Sequence, residues 1–225
     1  MKIYAINGGP RKGWNTDKML EAFLEGAASV SDEVETEMIY LHDLTYEGCI
    51  SCYACQRDND ETYGCCQVKD GIYELLRKVS LSDGVVFGSP VYFSDLTAKL
   101  RAFMERFLYQ YLSFNTDNLE EFNNAPKPLR TAMIYTMNLT EEMVKALNYE
   151  LILGVPEHFL ERVFGFKPVS IYVYDTYQYE DYSKYRAKFW DEKAKLERHK
   201  VQFPLDCKKA YDAGKEMALA GLQNK

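Results

Sequence analysis

The sequence has no long hydrophobic run and few histidines. No segment approaches the roughly 20 apolar residues needed to span a bilayer, and the amino terminus enters an apolar stretch directly, without a basic leader. We therefore expect a soluble, cytoplasmic protein without a membrane partner. The three histidines, His42, His158 and His199, are isolated from any nucleophile or metal-ligand pattern, which gives no support to a hydrolytic triad.

A net positive charge is also absent. The 225 residues include 27 Lys and Arg against 34 Asp and Glu, for a formal net charge of −7. Neither nucleic acid nor an anionic membrane is an attractive partner for such a chain. With 47% hydrophobic and 14% aromatic content, the chain can bury a full core. We expect one enlarged domain over residues 1–225, with insertions near 41–69, 112–129 and 175–205.

Two well-known phosphate-binding motifs are missing as well. The chain lacks G-x-x-x-x-G-K-[ST], which argues against a P-loop nucleotidase, and G-x-G-x-x-G, which argues against a dinucleotide-binding fold. It nevertheless opens with an apolar stretch, residues 2–7, that runs into glycines, cationic side chains and then a helix. A helix amino terminus offers unpaired amides and about half a positive charge to an anion. A mononucleotide phosphate is the expected ligand, with an ordinary polar turn as the alternative.

Apolar patterns along the chain predict strands that alternate with helices. The predicted strands cover residues 2–7, 34–40, 84–88, 131–136 and 169–174. The predicted helices cover residues 16–29, 70–79, 96–111, 141–153 and 206–222. Because parallel strands need long crossover connections, this alternation predicts an α/β sandwich of three layers.

Three motifs together resemble the flavodoxin-like NAD(P)H-dependent FMN reductases. They are GGPRKGWNT at 8–16, GCISCYAC at 48–55 and DGVVFGSPVYF at 83–93. The iron–sulfur flavoproteins are the nearest branch of that family, and the resemblance covers about residues 1–110. It implies a flavodoxin-like three-layer sandwich with a five-stranded parallel sheet of order 2-1-3-4-5, and FMN as the cofactor.

The resemblance also implies which residues bind FMN. They lie in the loops after the first, third and fourth strands, at Gly9, Pro10, Arg11, Asn15, Thr16, Ser89, Pro90, Val91, Tyr92, Phe93, Ser94, Met137 and Asn138. We expect the amides of residues 91–94 to be free to face the flavin, and Tyr92 or Phe93 to stack on its ring. Asp17, in the first helical turn, is expected to point its carboxylate away from the phosphate. The chemistry takes place on flavin N5 and requires no catalytic acid or base from the protein.

Five of the six cysteines lie close together in the sequence. Cys49, Cys52 and Cys55 form C-x2-C-x2-C, a spacing that lets three thiolates converge on one [4Fe–4S] cluster. The family pattern makes Cys66, rather than Cys65, the fourth ligand. Two alternatives remain open, a zinc site and a set of free thiols without a metal.

The function implied by the resemblance is an FMN-dependent oxidoreductase. It would accept hydride from NADH or NADPH and reduce a quinone, a small electrophile or a redox partner. One alternative is an iron–sulfur electron carrier that works with a ferredoxin-type partner, and another is a metal-sensing or redox-sensing protein. Because the tyrosines between residues 172 and 185 are typical of a subunit-contact arm, we expect a homodimer or homotetramer.

Overall fold

Five parallel strands form one sheet in the computed structural model, which describes residues 1–58, 61–113 and 123–223. The order across the sheet is β2-β1-β3-β4-β5, and this confirms the predicted fold class. The strands are β1 (Lys2–Asn7), β2 (Glu35–Tyr40), β3 (Gly84–Pro90), β4 (Arg130–Thr136) and β5 (Val169–Val173). The helices are α1 (Asn15–Ala28), α2 (Tyr73–Ser80), α3 (Ala98–Tyr109), α4 (Glu141–Ala146), α5 (Tyr149–Phe164) and α6 (Glu192–Leu222).

The helices cover both faces of the sheet. Side chains alternate along β1, so that Ile3 and Ala5 pack in one core cluster with α1 and α6. Tyr4 and Ile6 point to the other face, into a cluster with α2, α3 and α5. Burial on both faces explains why the central strands are nearly continuous apolar runs.

The register of the sheet brings the loops that follow three strands to one edge. Asn7 at the end of β1 pairs with Gly88 of β3, and the next amide, of Gly8, donates to the Gly88 carbonyl at 2.8 Å. Pro90 at the end of β3 pairs with Thr136 at the end of β4. The loops after β1, β3 and β4 therefore leave the sheet side by side.

The predicted helix over 141–153 is wrong in its length and continuity. The structure has two helices there, α4 and α5, because Asn148 between them adopts a left-handed backbone with φ of 54°. The second helix continues eleven residues past Leu153, through Pro156. Proline inside a helix removes one backbone hydrogen bond, so in a sequence it often marks the end of a helix.

The predicted start of the last helix is also wrong. Instead of beginning at 206, α6 begins at Glu192 and includes Pro204. Asp191 caps it, with its side chain accepting hydrogen bonds from the amides of Lys193 and Ala194. Because the buried side chain in its first turns is Lys195, this part of the helix has no apolar periodicity to detect.

The predicted insertions are described only in part. Residues 59–60 of the insertion near 41–69, and residues 114–122 of the insertion near 112–129, lie outside the described residues. The insertion near 175–205 ends at residue 191, where α6 begins. None of the helices within the described ranges is long and apolar enough to cross a membrane.

Candidate functional site

A cleft opens where the loops after β1, β3 and β4 meet. It holds about 710 Å³ of empty space, part of it open to solvent, a size typical of small-molecule sites. Its lining consists of Gly9, Pro10, Arg11, Trp14, Asn15, Thr16, Pro90, Val91, Tyr92, Thr136, Met137, Asn138, Thr176 and Gln178. The structure thus brings together all the residues predicted to bind FMN except Ser89, Phe93 and Ser94.

Ser89 has a structural position beneath the cleft. Its side chain is fully buried, and its hydroxyl donates to the carbonyl of Pro90 at 2.8 Å. The same hydroxyl accepts a hydrogen bond from the amide of Thr97 at 3.0 Å. Ser89 therefore fixes the loop after β3 instead of lining the cleft.

Phe93 and Ser94 form the tip of a tight turn next to the cleft. The amides and carbonyls of Tyr92 and Asp95 bond to each other at 2.9 and 3.0 Å, and the two residues between them have φ of 49° and 68°. The side chain of Phe93 is fully exposed. Such a left-handed conformation is costly for a bulky residue and is found at functional sites more often than elsewhere.

The prediction that the amides of residues 91–94 are free is wrong for the first two of them. The amide of Val91 donates to the carbonyl of Thr136, and that of Tyr92 donates to the carbonyl of Asp95, each at 2.9 Å. The first bond extends the pairing between β3 and β4, and the second closes the turn. Backbone geometry of this kind is not visible in a sequence motif.

The start of α1 forms one end of the cleft. Trp14, the residue before this helix, makes no side-chain capping bond within the described structure, so the first amides of the helix are left for a ligand or water. The hydroxyl of Thr16 lies 2.7 Å from that of Thr136, and this contact joins the loops after β1 and β4. A helix start with these groups suits a phosphate.

Asp17 is turned into the loop, as expected from its charge. The carboxylate accepts hydrogen bonds from the Asn7 side chain at 2.9 Å and from the Gly13 amide at 2.5 Å. Asn7 in turn accepts from the amide of Gly9 at 2.8 Å. These bonds hold the loop after β1 in shape from below.

The segment between β5 and α6 closes the same end of the cleft, which the sequence did not indicate. The Arg11 guanidinium donates to the carbonyl of Gln178 at 2.7 Å and lies 4.1 Å from the centre of the Trp14 ring. The side-chain Nδ2 of Asn15 donates to the carbonyl of Tyr177 at 2.9 Å. Because a guanidinium has five N–H donors, Arg11 keeps donors for an anion.

Asn138, in the loop after β4, also lines the cleft. Its Oδ1 is buried and has no hydrogen-bond partner among the described residues. Its backbone carbonyl accepts a hydrogen bond at 3.1 Å from the buried ammonium group of Lys195. A buried acceptor of this kind is normally satisfied, so the unpaired Oδ1 is an exception among the buried polar groups next to the cleft.

The cysteine segment forms a second cavity against α3. It is lined by Cys49, Ile50, Cys52, Tyr53, Cys55, Cys66, Gln67, Val68, Arg106, Tyr109 and Gln110. The four predicted cluster ligands are therefore brought together, whereas Cys65 is exposed and does not line the cavity. All six cysteines, each within the described ranges, are free thiols.

One face of α3 holds this segment in place. Glu105 accepts a hydrogen bond from the amide of Cys49 at 3.2 Å, and Gln110 accepts one from the amide of Cys66 at 3.0 Å. The Arg106 Nε donates to the Cys66 sulfur at 3.4 Å. Two of these anchors lie on α3 and Gln110 directly follows it, and the sequence predicted this helix only from its apolar residues.

Four cysteines line this cavity. Among residues 1–58, 61–113 and 123–223, no three His, Cys, Asp or Glu side chains are arranged to hold a single metal ion, so the zinc alternative gains no support from the described residues. A [4Fe–4S] cluster takes one thiolate at each of four separate irons, and Cys49, Cys52, Cys55 and Cys66 supply four thiols to the lining. Burial, reinforced by the nearby Cys66, raises the pKa of the Cys55 thiol to about 11.

Comparisons with protein families and curated proteins agree on one group. The model of the family described as NADPH-dependent FMN reductase matches residues 1–137. An iron–sulfur flavoprotein of Methanocaldococcus jannaschii is 36% identical over 106 residues, which are 47% of this chain and 51% of the relative. One of Methanosarcina thermophila is 35% identical over 106 residues, 47% of this chain and 52% of the relative. The chain spans about half the length of these curated relatives.

Solved structures resemble the chain over nearly its whole length. An NAD(P)H:quinone oxidoreductase of Methanothermobacter marburgensis has a TM-score of 0.67 and 17% identity, and the match covers 96% of each chain. An azoreductase of Bacillus anthracis has a TM-score of 0.65 and 11% identity, over 96% of this chain and 99% of that one. At these identities the likeness shows the fold alone.

Proposed function

This chain belongs to the NADPH-dependent FMN reductase family, and from that premise we propose that it is an FMN-dependent oxidoreductase accepting hydride from NADH or NADPH. The observation that carries the proposal is the cleft, where the start of α1 meets the loops that follow β3 and β4. The known chemistry of bound FMN, hydride acceptance at its ring, supplies the reaction.

The residues of the cleft have separate tasks in this proposal. The first amides of α1, with Arg11 and Thr16, bind the phosphate. Residues 90–92, Met137 and Asn138 contact the ring system. The protein thus binds and orients the flavin, and none of its side chains transfers a proton. Two similar structures carry the names of a quinone oxidoreductase and an azoreductase, which supports a quinone or another small electrophile as the acceptor.

A second cofactor is proposed for the cysteine cavity. Cys49, Cys52, Cys55 and Cys66 would ligate a [4Fe–4S] cluster, supported by their shared cavity and by the iron–sulfur flavoproteins among the relatives. If the chain binds this cluster, a second candidate function is that of an electron carrier, which delivers single electrons to a ferredoxin-type partner.

We also propose that the chain forms a homodimer or homotetramer. Large apolar side chains of α5, among them Leu151 and Val155, are exposed in the single chain. Exposed apolar surface of this kind marks interaction sites.

Binding of FMN and riboflavin, which differ by the phosphate, tests the proposed site. In fluorescence titrations the wild type is expected to bind FMN more tightly than riboflavin. Arg11→Ala is expected to lose about tenfold or more in FMN affinity, because it removes one charge-assisted hydrogen bond to the phosphate. The affinity for riboflavin should change little.

Lys12→Ala is the matched control. Lys12 is the next cation along the chain, but its ammonium group pairs with Asp43 at 2.5 Å, outside the cleft, so both affinities should stay near the wild type. Equal affinity of the wild type for FMN and riboflavin, or equal losses in the two variants, would contradict the proposed phosphate site.

A further inference from the structure

A buried arginine lies at the rear of the cysteine cavity. The side chain of Arg106 on α3 is 1% exposed. Its Nη1 pairs with the Asp70 carboxylate at 2.5 Å and donates to the carbonyl of Glu47 at 3.2 Å. Its Nη2 donates to the carbonyl of Val68 at 2.8 Å, and its Nε donates to the sulfur of Cys66 at 3.4 Å.

Folding of the cysteine segment alone does not explain why Arg106 is buried with all of these contacts. Removing a guanidinium from water is costly, and a buried ion pair is weak evidence for a stabilising role. Two backbone carbonyls and one carboxylate account for the two terminal nitrogens. Nε has the sulfur of Cys66 as its partner, and Arg106 lines the cavity. This arrangement brings a fixed cation to sulfur atoms that are negative when they bind a metal.

We propose that Arg106 is a positioning residue that selects Cys66 as the fourth ligand and raises the reduction potential of the cluster. The inference rests on the cluster proposed above. One added electron makes a cluster more negative by one charge, while no bond at Arg106 forms or breaks. An N–H donor to a ligand sulfur and a nearby positive charge both stabilise this reduced state.

Two variants are expected to shift the potential in opposite directions. Arg106→Lys keeps the positive charge but loses the planar group that reaches sulfur and carboxylate together, so the potential should become more negative. Asp70→Asn keeps the arginine but removes the carboxylate that neutralises it, so the potential should become more positive. A change in fold alone has no reason to produce opposite signs.

The experiment uses the full chain loaded with FMN and reconstituted anaerobically with iron and sulfide. Cluster reduction by dithionite is followed by electron paramagnetic resonance at controlled potentials. The matched control is Arg101→Lys, on the same helix, where the arginine is half-exposed and lies 3.7 Å from Asp95. Its potential should equal that of the wild type. Cys65→Ser should also leave the cluster spectrum unchanged.

Several results would overturn the inference. They are wild-type potentials in both the Arg106 and Asp70 variants, a negative shift in Asp70→Asn, or loss of the cluster in Cys65→Ser. If Arg106→Lys does not fold, the sign of the Asp70→Asn shift decides. A wild type that takes up no iron and sulfide removes the proposed cluster and this inference together. FMN binding, followed by flavin absorbance in the same samples, tests the proposed reductase separately.

Discussion

At the scale of single residues, three buried charged side chains hold the loops of the two cavities. Asp17, Arg106 and Lys195 are each almost fully buried. Asp17 fixes the loop after β1, Arg106 fixes the cysteine segment, and Lys195 fixes the loop after β4 through the carbonyl of Asn138. None of these three side chains has to contact a cofactor in order to fix the positions of the groups that bind it.

Replacing Lys195 should show this role most clearly. Its ammonium group pairs with Asp175 at 2.5 Å and is 3% exposed, and burial lowers the pKa of this lysine. Lys195→Met leaves the carboxylate of Asp175 without its buried partner, so we expect a loss of about 3 kcal/mol in the free energy of unfolding. FMN affinity should fall as well, since the loop at Asn138 loses its anchor. Urea unfolding and FMN titration measure the two effects.

Lys145→Met provides the comparison for that variant. Lys145 forms a 2.6 Å pair with Glu141 one helical turn away, but both side chains are exposed. Such a pair contributes about 0.5 kcal/mol or less. Similar losses in the two variants would show that the buried ion pair has no special role.

Residue roles were predictable where a motif carried them. Gly9, Arg11 and Thr16 were predicted from the family resemblance of their motif, and all three line the cleft. The burial of Arg106 and Lys195 was not predicted, because charged residues are mostly exposed. The partner of Lys195 lies 20 positions away and that of Arg106 lies 36 away, with no local pattern joining them.

At the scale of elements, the position of α1 depends on its close contact with α6. A Cβ atom at Gly214 of α6 would lie 1.9 Å from the carbonyl oxygen of Phe23, and one at Gly26 of α1 would lie 1.9 Å from that of Tyr211. The two helices therefore touch backbone to backbone, which only glycine permits. Because α1 begins at the cleft, this contact also sets where the first amides of the helix lie.

Gly214→Ala should separate these helices. We expect the free energy of unfolding to fall by about 2 kcal/mol, typical of an overpacked core, with weaker FMN binding as the start of α1 shifts. Gly154→Ala is the matched control, since a Cβ there has no neighbour within 4 Å among the described residues. It should stabilise α5 by about 0.5–1 kcal/mol through helix propensity. Equal behaviour in urea unfolding would contradict the close contact between α1 and α6.

The bounds of helices and strands were predicted best where the apolar residues follow a clear pattern. The continuous apolar run of β3 and the spaced apolar residues of α1 gave both elements nearly their observed bounds. The errors fall on α5 and α6, where Pro156 and Pro204 lie inside helices. Proline is usually a helix boundary in sequence, and tertiary packing overrides that preference here.

At the scale of the whole molecule, one sheet supports two sites. The cleft lies at the carboxyl edge, and the cysteine cavity lies against α3, a helix packed on the same sheet. Both helical layers share this sheet, which supports the proposal of one domain over residues 1–225. Family membership supports the FMN site proposed for the cleft, and the cysteine cavity adds a second proposed redox centre.

Anaerobic mixing of the FMN-loaded protein with NADH or NADPH tests the central proposal most directly. The flavin absorbance is expected to bleach rapidly with about one equivalent of at least one of the two nucleotides, since each transfers two electrons as hydride. A flavin that stays oxidised with both nucleotides, yet bleaches with dithionite, would contradict the proposed reductase.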